Sequence, residues 1–249
     1  MFRKLKKKLA KLKSGSVLSS EPVQAFHSFS YLRHNARRLE HLATLKIPVR
    51  GKTVLEVGAG IGDHSTYYID RGCDITITEA RPENVAVMKE RFPGAKISIL
   101  DMEKPAPVTG APFEVVHCYG LLYHLGNPEV AIEYLAKNTS GVLLLETCVS
   151  FGNDSQVNLV DEAQGRATQA VSGTGCRPTR PWIVNELKKH FPHVYMTVTQ
   201  PNHEQFAIDW TAPEKHPVKL VRAVFVASRH ALDSDQLTTS IPDHQTYCA

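Results

Sequence analysis

Val54-Leu55-Glu56-Val57-Gly58-Ala59-Gly60-Ile61-Gly62 is an apolar run that empties into three glycines spaced by two. The run reads as a buried strand, predicted over Thr53 to Val57, and the glycines as a tight turn that brings backbone close to a ligand. A helix predicted from Asp63 to Arg71 presents free N–H groups to the same place. A glycine loop of this kind also suits a dinucleotide-binding dehydrogenase or an ordinary tight turn.

Downstream, helical patterns alternate with short apolar runs. Helices are predicted over Pro82 to Phe92 and Pro128 to Asn138, and strands over Asp74 to Glu79, Lys96 to Leu100, Phe113 to Tyr119 and Gly141 to Cys148. Such alternation implies parallel βαβ units, hence a doubly wound, Rossmann-like α/β sheet with helices on both faces. A helix over Arg180 to His190 and strands near His193 to Thr199 and Val218 to Ser228 complete the expected sheet. Val149 to Gly175 lacks a clear period and reads as a long loop. Residues from Leu232 read as a flexible tail. The organisation expected is a basic segment and linker over 1–20, one catalytic domain over 21–231, and the tail over 232–249.

Upstream of the glycine loop, Phe26 to Leu45 has a helical pattern dense in aromatic, His and Arg residues. Tyr31, Asn35 and Arg38, three or four apart, share one face of that helix.

Composition narrows the classes. A chain of 249 residues with 42% hydrophobic and 22% charged residues is ordinary for a soluble globular protein. Apolar runs long enough for a membrane helix do not occur in the sequence, and Met1 to Lys13 leads into no apolar stretch of the secretory kind. A cytoplasmic enzyme is expected. The formal charge of +4 is concentrated in Arg3, Lys4, Lys6, Lys7, Lys8, Lys11 and Lys13, so the body is near neutral and offers nucleic acid little electrostatic attraction. With Phe2, Leu5, Leu9 and Leu12 at helical spacing, that basic segment suits contact with an anionic surface. The five cysteines form no metal-ligand or disulfide spacing, and His203-Glu204 lacks companion ligands; neither a metal site nor a disulfide framework is expected.

Two acids sharpen the reading of the glycine loop. Glu79 ends the second strand about 20 residues beyond it, where a carboxylate can accept from ribose hydroxyls. Asp101 follows the third strand, where it can meet an adenine amino group. With these residues the chain resembles the class I S-adenosylmethionine-dependent methyltransferases over Thr53 to Glu146. The resemblance implies S-adenosyl-L-methionine as cofactor. It places the methionine end against Glu56, Gly58, Ala59, Gly60 and Gly62, the ribose on Glu79 beside Ala80, and the adenine beside Asp101 and Met102, with Tyr119 among the contacts.

The stretch after the fourth strand contains Tyr123 and His124, a phenol and an imidazole at the carboxyl edge of the sheet. They are the candidate catalytic pair, with His124 able to titrate near neutral pH as a base; the competing reading is a packing pair that orders the loop. Glu146 at the end of the fifth strand, with Arg177 and Arg180 beyond the long loop, are the candidate substrate-binding residues, since two arginines can fork a carboxylate or phosphate. The order Leu122-Tyr123-His124, Glu146-Thr147 and then the arginines also resembles the bacterial tRNA wobble-uridine carboxymethyltransferases, which use a carboxylated form of the cofactor. Those enzymes carry a larger N-terminal region that this chain's short basic segment does not replace. Methyl transfer to a small, acidic or phosphate-bearing acceptor is therefore expected. An RNA-modifying enzyme and a cofactor-binding module without catalysis are the alternatives.

Overall fold

The computed structural model describes residues 20–162 and 172–248. The basic segment Met1 to Lys13 and the middle of the predicted long loop lie outside the described residues.

The first helical stretch is two helices, α1 (Glu21–Phe26) and α2 (Phe29–Thr44). Pro22 stands in the first turn of α1, where its missing N–H costs no intrahelical bond. The chain then alternates as β1 (Thr53–Val57), α3 (Ser65–Ile69), β2 (Asp74–Glu79), α4 (Pro82–Arg91), β3 (Lys96–Ile99) and β4 (Phe113–Tyr119). A 3₁₀ turn over Leu122–His124 precedes α5 (Pro128–Lys137) and the long strand β5 (Thr139–Val149). The predicted strands and helices agree with these bounds to within a few residues. Helix α3 is the shortest of them, because the chain over Gly60–His64 turns instead of starting the helix.

The main sheet includes three further strands, β8 (His193–Thr197), β10 (Val221–Ser228) and β11 (Leu237–Thr238), in the order β11-β8-β10-β5-β4-β1-β2-β3. Strands β3, β2, β1, β4 and β5 are parallel, as alternation with helices requires. Strand β10 inserts antiparallel between β5 and β8, with Phe225 opposite both Leu145 and Met196. The order reverses between β1 and β4, the place where open α/β sheets bind ligands.

Both faces of the sheet are covered, so the central strands are apolar on both sides. Leu55, Val116, Leu143 and Leu145 pack with Ile132, Leu135, Ile183 and Leu187 on one face. Val54, Val115 and Leu144 pack with Leu42, Tyr68, Val85 and Met88 on the other. Neighbouring residues thus alternate between two cores, the period-two signature of a strand.

Two expectations are corrected. The long loop contains a hairpin, β6 (Val157–Asp161) antiparallel to β7 (Thr174–Pro178). Helix α6 (Arg180–Lys188) follows, with the Thr179 hydroxyl accepting from the Trp182 N–H at its start. The segment after Leu232, read as a flexible tail, is packed: β11 pairs with β8, and β12 (Thr246–Tyr247) pairs with β9 (Thr199–Gln200). Gln245 is buried there, accepting from the Trp210 indole N–H at 2.8 Å and donating to the Thr197 carbonyl at 2.6 Å. Polar side chains that look solvated in sequence are satisfied by backbone in the fold.

Candidate active site

A cavity opens at the switch point between β1 and β4, where open α/β sheets take their ligands. The glycine loop forms its floor. Gly58 and Gly60 have φ of 70° and 59°, in the left-handed region that side chains disfavour. A Cβ on Gly60 would lie 2.6 Å from the Phe26 ring, and one on Gly58 2.9 Å from Leu121. Helix α1 therefore packs directly on the loop, and Phe26 with Tyr31, in edge contact at 5.0 Å, roofs the cavity.

Glu79 lines the cavity at the end of β2 and accepts from the backbone N–H of Gly60 at 2.9 Å and of Arg81 at 3.0 Å. Burial raises its pKa while those N–H groups oppose the rise. Ala80, Leu100, Asp101 and Met102 continue the same wall. Glu56 lies deeper, held by the Ser65 hydroxyl, and burial pushes its pKa up to about 8. Ala59 and Tyr119 line the cavity too. Gly62 does not; its φ of 81° and close approach to Phe92 serve the packing of the loop on α4.

Behind Glu56 runs a buried polar chain. His64 Nδ1 lies 3.1 Å from His117 Nε2, and His117 Nδ1 lies 2.9 Å from the Tyr68 hydroxyl. Burial holds His117 at about 3 and His64 well below its ordinary range, so both are neutral. Glu56, His64 and His117 each present a ligand atom within 4.8 Å of the others and could hold a cation. Ser65 and Tyr68 partner the same groups without one.

Opposite the loop, α2 contributes Tyr31, Asn35 and Arg38, the three residues that the helical spacing places on one face, and all three line the cavity. Arg38 donates to Glu146 at 2.5 Å and to Asn35 at 3.3 Å. Gly120, whose φ is 81°, leaves room for that guanidinium: a Cβ would lie 3.1 Å from it. Arg222 on β10 donates to the other Glu146 oxygen at 3.0 Å and to the Tyr123 hydroxyl at 3.1 Å. Two guanidinium groups thus share one fully buried carboxylate, leaving net positive charge beside the cavity.

The predicted catalytic and substrate residues divide. His124 lines the cavity; Tyr123, Glu146, Arg177 and Arg180 do not. The Tyr123 phenol is turned to Arg222. Glu146 is the counter-ion of Arg38 and Arg222. Arg180 lies 3.7 Å over the Trp210 ring and donates to the Pro242 carbonyl at 2.7 Å, so it fastens the C-terminal segment. Arg177 donates to the Tyr123 carbonyl at 3.0 Å and to Glu162 at 3.1 Å. The two arginines are engaged by protein because carbonyls and a carboxylate reach them first; the arginines that line the cavity are Arg38 and Arg81. His203 stacks on His34 at 4.8 Å, and Glu204 accepts from Arg33 at 2.6 Å, outside the cavity lining.

Sequence reasoning had no signal for Asp63, His64 or His117 as lining residues. It marked Tyr31, Asn35 and Arg38 by spacing and gave them no role.

The fold and this cavity define a methyltransferase domain, and residues 26–179 match the family model of that description. The chain belongs to that methyltransferase-domain family. It is 29% identical over 190 residues to a tRNA U34 carboxymethyltransferase of Pasteurella multocida (strain Pm70), covering 72% of this chain and 56% of the relative. The chain thus spans little more than half the length of that relative. Among solved structures, the N-terminal domain of EvdMO1, crystallised in the presence of SAH and D-fucose, superposes with a TM-score of 0.60 at 21% identity, covering 92% of this chain and 97% of that one. An S-adenosylmethionine-dependent methyltransferase from Mesorhizobium loti superposes with a TM-score of 0.56 at 14% identity, covering 79% of this chain and all of that one. These likenesses establish the shared fold.

Proposed function

We propose that this protein transfers a methyl group from S-adenosylmethionine to a small acceptor bound under α1 and α2. The observation that carries the reading is one continuous cavity whose floor and far wall are Gly58, Gly60, Glu79, Asp101 and Met102, and whose near wall is Tyr31, Asn35, Arg38 and His124. The residues fit the cofactor: the glycines leave backbone bare, Glu79 is pre-set by two N–H donors, and Asp101 stands beyond β3.

S-adenosylmethionine, when bound, supplies a methyl group on a positively charged sulfur. The chain's own part is to hold and exclude. Glu79 accepts from ribose hydroxyls, Arg38 offers positive charge to a carboxylate, and the Phe26–Tyr31 roof keeps water from the reacting atoms. Placement of acceptor and methyl in line supplies much of the rate. His124 accepts the acceptor's proton.

Calorimetry tests this reading directly. Micromolar binding of S-adenosylmethionine and S-adenosylhomocysteine, with none of NAD, is expected; NAD binding without either would replace the methyltransferase with an oxidoreductase.

The Pasteurella relative favours a second reading, a tRNA acceptor with a carboxymethyl donor. It requires RNA affinity that falls steeply with salt. Removal of residues 1–13 separates the readings: small-molecule turnover survives it, whereas RNA binding carried by the basic segment does not.

No helix among the described residues is long and apolar enough to cross a membrane.

A further inference from the structure

Glu162, just past the end of β6, contacts the cavity-lining His124 although it is 38 positions away in sequence and does not itself line the cavity. Its carboxylate meets His124 Nδ1 through one oxygen and accepts from Arg177 Nη2 at 3.1 Å through the other. The Glu162 side chain is 4% exposed and that of His124 12%. The backbone is built for this approach: Glu162 N–H donates to the Gly173 carbonyl at 2.9 Å, and Arg177 is fixed by the carbonyls of Tyr123 and Cys176. A Cβ at Gly175 would lie 2.5 Å from the Tyr123 carbonyl and 2.7 Å from Glu162, so glycine there lets β7 pass between them. Among the described residues, Nε2 of His124 has no hydrogen-bond partner, and the ring borders the cavity.

We propose that Glu162 is a positioning residue that fixes His124 with its proton on Nδ1 and its lone pair on Nε2 toward the cavity, and that the acceptor is therefore a hydroxyl compound. The inference rests on the methyltransferase reading and deepens it. A carboxylate accepting from Nδ1–H sets the tautomer and stabilises the imidazolium that forms when Nε2 takes a proton. Arg177 binds the other carboxylate oxygen and so does not compete for the Nδ1 side. In the transfer, the acceptor oxygen forms a bond to the methyl carbon as the methyl–sulfur bond breaks. The bonding pair goes to sulfur, the hydroxyl proton goes to Nε2, and the products are a methyl ether, the neutral thioether and an imidazolium facing Glu162. Neutral amines attack through a free lone pair and need no such base in advance; hydroxyls do. Burial lowers the His124 pKa, and Glu162 opposes that fall.

The test uses the full chain saturated with S-adenosylhomocysteine and carrying ¹⁵N-labelled histidine, the His124 signals being assigned with His124→Gln. The expected result is an Nδ1–H tautomer in the wild type. In Glu162→Gln, which keeps the shape and removes the charge, the imidazole's proton affinity should fall at least about tenfold, one pKa unit. Glu162→Asp should restore part of it, and S-adenosylhomocysteine affinity should stay at the wild-type value in both. An Nε2–H tautomer in the wild type, or an unchanged His124 titration in Glu162→Gln, overturns the positioning role. For the acceptor, S-adenosylhomocysteine release is followed with sugars and phenols against the matching amines; turnover of amines alone overturns the hydroxyl assignment. Failure of the wild type to bind S-adenosylhomocysteine at all is a different result, and it removes the methyltransferase reading beneath both.

Discussion

Glu146 has no solvent exposure and sits between Arg38 and Arg222, so its charge is offset by hydrogen-bonded neighbours and not by water. Removing one partner of such a group leaves buried charge uncompensated. Arg38→Met should destabilise the fold by about 3 kcal/mol, read from urea unfolding, and weaken binding of any carboxylate in the cavity; Arg38→Lys, a point charge without the fork, should recover only part of each. Gly60 carries a separate demand. A β-branched residue there meets both a positive φ and the Phe26 ring, so Gly60→Val should lower S-adenosylhomocysteine affinity by more than tenfold while the far-ultraviolet spectrum stays that of the wild type. The glycine loop, Glu79 and Asp101 were legible in the sequence because each is tied to the end of a recognisable strand. The partners of Arg177 and Arg180 were not. Whether an arginine meets a ligand or a carbonyl depends on which distant backbone arrives beside it, as Pro242 does for Arg180.

At the scale of elements, the parallel strands were legible because short apolar runs alternate with helical patterns, and β1, β4 and β5 are buried along nearly their whole length. Strand β6 escaped notice for the opposite reason: its residues are part-exposed and carry no alternation. The C-terminal segment misled because its anchors are glutamine, tryptophan and backbone. Its attachment is concentrated at Gln245, which binds Trp210, Gln200 and the Thr197 carbonyl. Gln245→Leu strands the Trp210 N–H and that carbonyl, and should cost about 1–3 kcal/mol. Thermal unfolding measures the loss, and proteolysis should then cut after Leu232 in the variant before it cuts the wild type.

For the whole molecule, the histidines make acid the weak side. His41, His64 and His117 are buried and neutral, His41 with its pKa lowered to about 4 and His117 to about 3. The unfolded chain takes up protons on these rings at about 6.5, so their contribution to stability is complete above that pH. It is lost as pH falls toward the folded values. Glu56, raised to about 8, and Glu79, also raised by burial, work the other way, losing stability as pH rises above about 4.5, but they are two groups against a larger set of buried rings. Urea midpoints should therefore fall steadily from pH 7 to pH 5, and His117→Gln should flatten that slope. A flat wild-type profile across this range would mean that the buried rings are already protonated in the fold.

Strand β10 lies between β5 and β8, yet it is the last of the three to be synthesised. Strand β8 therefore has no place in the main sheet until Val221–Ser228 has left the ribosome, and until then β5, nearly all buried in the finished fold, keeps an open edge. The nascent chain spends the interval after β5 with a sticky, unfinished margin, and β10 then acts as a wedge that joins β8 to the sheet from within. The window in which that margin is open to aggregation therefore lasts from the synthesis of β5 to that of β10.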